Sequence, residues 1–191
     1  MAGQQGTRWP LASNRIRRGR ASNTFGEGIR VQTDGSRTNH QGWDFYAPVG
    51  TPVYAIHDGV VVRADGVSGA YGNQVVIRLD TVTVNGSQAY AMYGHLSSIS
   101  VAVNQRVSRG DQIGLTGVSG NGEPDQRLPN WEQDYHLHFE IRDRQDVGQG
   151  MGGRVSPATL YGSPPLVNTV IDIPAPPSQT PTTDGSTNAA E

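Results

Sequence analysis

Short runs of β-branched and aromatic residues, separated by turn signals, fill the middle of the 191-residue chain. The main runs are residues 51–56 (TPVYAI), 59–63 (GVVVR), 74–80 (QVVIRLD), 88–94 (QAYAMYG) and 135–142 (YHLHFEIR). Asp58-Gly59, Asp65-Gly66 and Asn85-Gly86 are turn dipeptides that lie between or beside these runs. The period is close to two, and a helical stripe is missing from every window of twelve residues. The pattern predicts an all-β domain of short, mostly antiparallel strands with large loops.

The two ends of the chain differ from this dense region. Residues 1–21 are polar and rich in arginine, which indicates a solvated lead-in; a phosphate-binding arm is the alternative. We place the main domain at residues 22–162 and a Pro/Thr/Ser-rich tail at 163–191. From Pro174 onward the tail has four prolines and no Val, Leu, Ile or aromatic residue. It cannot bury enough surface to offset the ordering of its backbone, which predicts disorder or a linker.

Composition excludes several classes of function. A formal net charge of −2 argues against a nucleic-acid binder held by a basic field. The chain has no cysteine, which excludes disulfides and cysteine zinc sites, and no lysine, which excludes a biotinyl or lipoyl carrier. The pattern of apolar residues leads us to expect neither a membrane span nor a standard signal peptide. We expect a monomer.

Two histidines lie two residues apart in the last of the main runs. Because side chains alternate along a strand, His136 and His138 share one face, with their Cα atoms about 6.5–7 Å apart. Glu140 and Arg142 extend that face. The opposite face is apolar and predicts the core side of the strand; it carries Leu137, Phe139 and Ile141.

A second constellation is His40-Gln-Gly-Trp-Asp44, in which a bent segment could bring an imidazole and a carboxylate to one point. Zinc accepts both donor types, and three protein ligands plus water is the catalytic arrangement. One histidine of the 136/138 pair would complete the set. A third signal is Tyr93-Gly-His95-Leu96, where a histidine ends a strand. His57 has no comparable motif around it and is interpreted as a surface turn residue.

Together these three motifs resemble the lysostaphin/LytM-type zinc endopeptidases, which are peptidoglycan hydrolases. That family shows H-x-x-x-D, then Y-x-H-L, then H-L-H-F-E, and the segments at 40–62, 104–121 and 154–162 are also similar to its framework. The resemblance covers roughly residues 22–162. It implies a barrel-sandwich-hybrid-like fold and hydrolysis of peptide bonds in bacterial peptidoglycan.

The resemblance also implies roles for single residues. His40, Asp44 and His138 would bind one Zn²⁺, and His136 and His95 would be the catalytic histidines. Zinc in such a site polarises a carbonyl and lowers the pKa of water toward about 7, while an unligated imidazole moves the proton.

The sequence departs from the family at residues 122–134 (GEPDQRLPNWEQD), where a short link is usual. We interpret this insertion either as a specificity loop or as a spacer. Trp131 in it, and Tyr93 near His95, are expected to bind substrate.

Several alternatives stay open. The chain could be a catalytically silent cell-wall-binding or amidase-activator module of the same fold, or a different His/Asp/His zinc enzyme such as a D-Ala-D-Ala dipeptidase. The bond that is cleaved is a glycyl cross-bridge or a bond from D-Ala to a diamino acid. Action in the periplasm or cell wall without a signal peptide would require delivery by a type VI secretion system or a phage, with an immunity or delivery partner, or a trimmed chain.

Overall fold

The protein is described by a computed structural model that covers residues 3–66 and 69–174. The disorder predicted for the tail from Pro174 falls almost entirely outside these residues. Within them, the strands are β1 Ser13–Asn14, β2 Gly26–Val31, β3 Arg37–His40, β4 Trp43–Tyr46, β5 Pro52–Tyr54, β6 Gly59–Gly66, β7 Asn73–Val84, β8 Ser87–Gly94, β9 Leu96–Ile99, β10 Arg106–Val107, β11 Gln112–Thr116, β12 His136–Arg142, β13 Arg154–Val155 and β14 Val170–Ile171.

Helical structure in the same residues is limited to short turns. The α-helix α1 spans Ala158–Tyr161, and 3-10 turns span Gln4–Gly6, Arg17–Gly19, Ala21–Asn23 and Trp131–Asp134. None of the helices in the described part of the chain is long and apolar enough to cross a membrane. The predicted all-β class is confirmed, and each of the five predicted runs contains a strand.

One seven-stranded antiparallel sheet organises the molecule. Its order is β10-β6-β7-β8-β12-β13, and β4 also pairs with β12. The predicted Asn85-Gly86 turn joins β7 to β8, with φ of 51° and 75° at its two residues. Positive φ at both positions matches the twist of the flanking strands, which is why such a dipeptide closes a hairpin. A three-stranded sheet, β5-β11-β9, and two strand pairs, β1-β14 and β2-β3, complete the fold.

Strand β12 is central and confirms the predicted alternation. Leu137, Phe139 and Ile141 are completely buried in the apolar core. The opposite face holds His136, His138, Glu140 and Arg142, which are also buried but do not belong to the apolar cluster. β12 therefore has an apolar face toward the core and a polar face beneath a cleft.

The N-terminal segment differs from the solvated lead-in expected for residues 1–21. Trp9, Leu11 and Ile16 are buried in the core, and the ring of Trp9 lies 4.4 Å from that of Tyr161. Ile16 also forms a bridge to Phe45 on β4. A few large apolar residues in a polar sequence are thus enough to anchor the segment. The start of the tail is anchored too, since β14 pairs with β1.

We predict that Trp9→Ala lowers the free energy of unfolding by about 3–5 kcal/mol, because it leaves a cavity in the aromatic core. Urea unfolding followed by tryptophan fluorescence and circular dichroism would measure the change. Val167→Ala is the control, since that side chain is 85% exposed and should change stability by less than about 0.5 kcal/mol. A loss below about 1 kcal/mol for Trp9→Ala would mean that the segment is not part of the cooperative core.

Candidate metal centre and active-site cleft

Three side chains converge at the edge where β3, β4 and β12 meet. Asp44 lies directly opposite His138 in the β4-β12 ladder, and His40 ends β3 just before β4 begins. Asp44 Oδ1 is 3.1 Å from His40 Nε2 and 3.0 Å from His138 Nδ1, and the two nitrogens are 3.3 Å apart. All three residues are buried. The sequence-predicted triplet is therefore a candidate metal site.

The chemistry of this triplet fits a cation. His40 Nδ1 donates to the backbone oxygen of Thr24 at 2.9 Å, and His138 Nε2 donates to Glu140 Oε1 at 3.1 Å. These bonds place the ring protons on the outer nitrogens, so both inner nitrogens present lone pairs to each other and to a carboxylate oxygen. Three acceptors at such distances repel one another unless a positive charge, either a proton or a metal ion, lies between them. Two imidazoles and one carboxylate form the donor set of a catalytic zinc site.

A close backbone approach makes the convergence possible. Gly42 lies between His40 and Asp44, and a Cβ atom there would overlap the carbonyl oxygen of Phe139 on β12. Only glycine lets the backbone approach the strand this closely. The short link in the H-x-x-x-D motif thus positions both of its side chains.

Two further histidines flank the triplet. His95 Nδ1 donates to the carbonyl of Ser119 at 2.9 Å, and His136 Nδ1 donates to the carbonyl of Asp134 at 2.8 Å. The two rings are 4.9 Å apart, and His136 Nε2 is 3.9 Å from Asp44 Oδ1. Arg17 Nη1 also lies 3.3 Å from His136 Nδ1, but the shorter contact with Asp134 favours a proton on that nitrogen. With Nδ1 protonated, Nε2 of each ring is left as an acceptor.

His95 reaches the site because the chain turns at that residue. Its φ is 61°, in the left-handed region that a residue with a side chain seldom adopts outside functional or strained sites. Gly122 packs against its ring, and a Cβ at position 122 would lie 2.7 Å from His95 Cγ. The first residue of the 122–134 insertion therefore packs directly against the His95 side chain.

Burial and neighbouring charges set the protonation of these groups. Burial lowers the pKa of His95 to about 4 and that of His136 to about 3, in both cases assisted by nearby positive charge. Burial alone would lower the pKa of His138, but the negative charges of Asp44 and Glu140 beside it raise that pKa. The surrounding histidines hold the pKa of Asp44 well below its usual range, although burial opposes this.

Two arginines that the sequence analysis did not select contact Asp44. Arg30 Nη2 donates to Asp44 Oδ2 at 2.5 Å, and Arg17 Nη2 lies 3.4 Å from the same oxygen. These contacts occupy Oδ2 and leave Oδ1 directed at the two histidines. Arg17 comes from the arginine-rich N-terminal segment, so that segment contributes to the site and is not a separate arm.

A buried charged cluster lies behind His138. Glu140 is fully buried and accepts from Arg142 Nε at 2.6 Å and from Arg154 Nε at 3.2 Å, besides its bond from His138. These partners hold the pKa of its carboxyl far below the usual range despite burial. Arg154 also donates to the hydroxyl of Tyr71, whose ring stacks 5.1 Å from that of His138. Glu140, Arg142, Arg154 and Tyr71 were not predicted to contribute to the site.

The insertion at 122–134 is tied to the N-terminal segment. Arg18 binds Asp134 in a bidentate pair, with both N–O distances 2.6 Å, and donates to the carbonyl of Asn130 at 3.0 Å. Trp131 packs edge-on against Tyr135, 5.5 Å away. In the described part of the chain, Trp131 is not among the residues that line the cleft beside His95, His136 and His138. A substrate contact of Trp131 therefore stays a prediction.

Tyr93 differs from the expected substrate-binding position. It is completely buried, and its hydroxyl accepts a hydrogen bond from the backbone N–H of Ile56. Tyr93 lies opposite Phe139 in the ladder, on the core face. The left-handed turn at His95 breaks the alternation, so the histidine leaves the core face that its neighbour two residues earlier occupies. His57 lies outside the site and bonds to the carbonyl of Asp58.

A cleft of about 690 Å³ opens above the triplet. His95, His136 and His138 line it, and its walls include glycine-containing segments around residues 69–72 and 146–150. The cleft therefore gives access to His95, His136 and the candidate metal site from outside.

Comparison with known proteins identifies the family that this fold and site define. Residues 38–150 match Peptidase family M23, and the chain belongs to that family. The matched segment includes the four histidines and the aspartate of the site, which are His40, Asp44, His95, His136 and His138. Antiparallel sheets carrying a His–Asp–His cluster are thus explained as a peptidase fold, and the predicted relationship to the lysostaphin/LytM-type enzymes is confirmed.

Individual relatives support the same assignment. The chain is 41% identical over 102 residues to the peptidoglycan DD-endopeptidase ShyA of Vibrio cholerae, covering 53% of this chain and 20% of ShyA. A zinc containing peptidase from Vibrio cholerae superposes with a TM-score of 0.53 at 32% identity, covering 73% of this chain and 37% of that one. The catalytic domain of lysostaphin from Staphylococcus simulans gives 0.52 at 26%, covering 71% and 86%.

We predict that Glu140→Gln lowers the free energy of unfolding of the metal-free protein by about 3–5 kcal/mol. The change leaves two buried guanidinium groups without their shared carboxylate. Chemical unfolding in the presence of a chelator would measure it. The matched control is Asp80→Asn, which breaks the solvent-exposed pair with Arg106 and should cost less than about 1 kcal/mol. Equal effects of the two changes would contradict the buried cluster's structural role.

Proposed function

We propose that the protein is a zinc-dependent endopeptidase that hydrolyses peptide bonds in bacterial peptidoglycan, in the periplasm or cell wall. The observation that carries this proposal is the arrangement of three converging acceptors with two further histidines beside them, within an M23 peptidase fold. The relative named as a peptidoglycan DD-endopeptidase supports the substrate class.

His40, Asp44 and His138 would hold the metal through Nε2, Oδ1 and Nδ1. A bound Zn²⁺ supplies Lewis acidity, which polarises a peptide carbonyl and makes water acidic enough to react near neutral pH. The chain's own contribution is orientation. Thr24 and Glu140 fix the two ligand rings, and Arg30 fixes the aspartate, so little rearrangement is needed when the ion binds.

His136 and His95 would move the proton. Their Nδ1 atoms are committed to backbone carbonyls, so Nε2 of either ring can accept the proton of an attacking water. Once protonated, that Nε2 becomes a donor. It can stabilise the negative carbonyl oxygen as the tetrahedral state forms and then pass the proton to the leaving amine.

The first test of this proposal is metal content. We expect one zinc ion per chain by elemental analysis of dialysed protein, and we expect alanine at position 40, 44 or 138 to remove most of it. His57→Ala is the matched control, because that histidine bonds on the surface to Asp58. Full zinc occupancy in His138→Ala would contradict the ligand assignment.

The second test separates the flanking histidines from the ligands. His136→Ala and His95→Ala should retain zinc but lower the rate of hydrolysis by about 10²–10⁴-fold, since each removes a proton-transfer group. Zinc content and turnover would be measured on the same preparations. A near-normal rate in either variant would remove that histidine from the mechanism.

The third test concerns the substrate. Purified sacculi that carry diamino-acid cross-links, and others that carry glycine bridges, would be digested and the released muropeptides analysed by mass spectrometry. New free amines and carboxyl ends at one type of bond are the expected result. A protein that binds zinc and sacculi but releases nothing would instead be the catalytically silent wall-binding or activator module.

A further inference from the structure

A charge imbalance marks the part of the cleft beyond the metal centre. Arg142 and Arg154 face each other across the β12-β13 ladder and share the carboxylate of Glu140. Two guanidinium groups with one carboxylate leave an uncompensated positive charge. Such a charge is costly where water is largely excluded, unless an anion approaches it.

The two arginines differ in how fully they are bonded. Arg154 is fully engaged, because its remaining nitrogens donate to the carbonyls of Gly148 and Gly150 and to the hydroxyl of Tyr71. Arg142 donates only through Nε, to Glu140 at 2.6 Å. Within residues 3–66 and 69–174, neither Nη atom of Arg142 has a hydrogen-bond partner, and neither is among the solvent-inaccessible orphan atoms. Arg142 lines the cleft, and its unpartnered Nη atoms keep a small solvent-accessible surface.

The scaffold holds this guanidinium in place. The Arg142 side chain is only 3% exposed, and its Nε is fixed by a buried carboxylate. Its Cα lies four residues from His138 along β12, a separation of about 13 Å. A guanidinium with a fixed Nε and two free Nη groups is preorganised for the two oxygens of a carboxylate.

A second cation faces the same cleft from across the sheet. Arg63 on β6 lines the cleft, and its only described contact is a 3.5 Å ion pair with the exposed Asp65. Of the acidic residues that line the described cleft, Asp44 is committed to the metal centre, whereas Asp146 is exposed on the wall. The open part of the cleft is therefore more positive than negative.

We propose that Arg142, assisted by Arg63, forms a subsite for a carboxylate of the substrate. The inference rests on the proposed function, and it names the substrate class: stem peptides whose diamino acid has a free carboxylate. A bridge of glycines carries no such group and leaves the Arg142 fork unsatisfied. Arg142 is thus a specificity-determining residue, at a distance from the bond that is cleaved.

The test compares two cross-linked muropeptide dimers that differ only in this carboxylate, which is either free or converted to the amide. Binding is measured by calorimetry in the zinc-loaded His136→Ala protein, so that turnover does not interfere. We expect the acid to bind about 10- to 100-fold more tightly than the amide. Arg142→Gln should bring the ratio close to one, and Arg63→Gln should reduce it by a smaller factor.

Two further variants keep the test decisive. Arg142→Lys keeps the charge but not the fork, so it should lose part of the ratio even if Arg142→Gln fails to fold. Arg109→Gln removes an exposed charge that is not among the cleft-lining residues and should leave the ratio unchanged. Three outcomes would overturn the proposal. The first is an acid-to-amide affinity ratio near one in the His136→Ala protein, and the second is a failure of that protein to bind either dimer. The third is an affinity ratio that is unchanged in both Arg142→Lys and Arg63→Gln.

Hydrolysis of the acid dimer by the unsubstituted protein separates the two proposals. If the dimer is cleaved but acid and amide bind equally, only the carboxylate subsite is wrong. If it is not cleaved but the binding ratio is retained, the subsite stands and the proposed peptidase function fails.

Discussion

The mutual repulsion of three acceptor atoms is the constraint around which this molecule is organised. His40 Nε2, Asp44 Oδ1 and His138 Nδ1 lie within 3.3 Å of one another, with their ring protons directed elsewhere. Hydrogen bonds around the triplet, a glycine beneath it and arginines beside Asp44 all hold these atoms together. The surrounding structure thus holds these three atoms in an arrangement that fits a cation.

Local patterns predicted the part of the site that lies on one strand. Alternation in residues 135–142 was sufficient to place His136, His138 and Glu140 on one face, because a strand fixes that geometry by itself. The association of His138 with His40 and Asp44 spans nearly a hundred residues. The spacing of the motifs was compatible with this association, and the resemblance to a known family singled out His138 as the partner. The register of β4 and β12, which pairs Asp44 with His138, explains it physically.

The features of the site that could not be predicted from the sequence depend on contacts between residues far apart in the chain. Arg17 reaches Asp44 from a segment that composition alone marks as polar and solvated, since its few buried residues are widely spaced. Arg30 reaches the same carboxylate from β2, which no predicted run includes. The burial of Tyr93 was missed because the backbone at His95 turns out of the strand. Glu140 and Arg142 did leave a signal: they continue the His136/His138 face, and charged residues on a face beside a metal ligand point to outer-shell contacts.

The ion pair between Arg18 and Asp134 couples the N-terminal segment to the 122–134 insertion, although the two are far apart in the sequence. Arg18 follows the arginine that contacts Asp44, and the carbonyl of Asp134 orients His136. A library that randomises the loop before His136 would therefore be screening for compatibility with residue 18 as much as for new specificity. A loop grafted between Gly122 and Asp134 should therefore be transferred together with the turn at Arg17–Gly19 that contacts it.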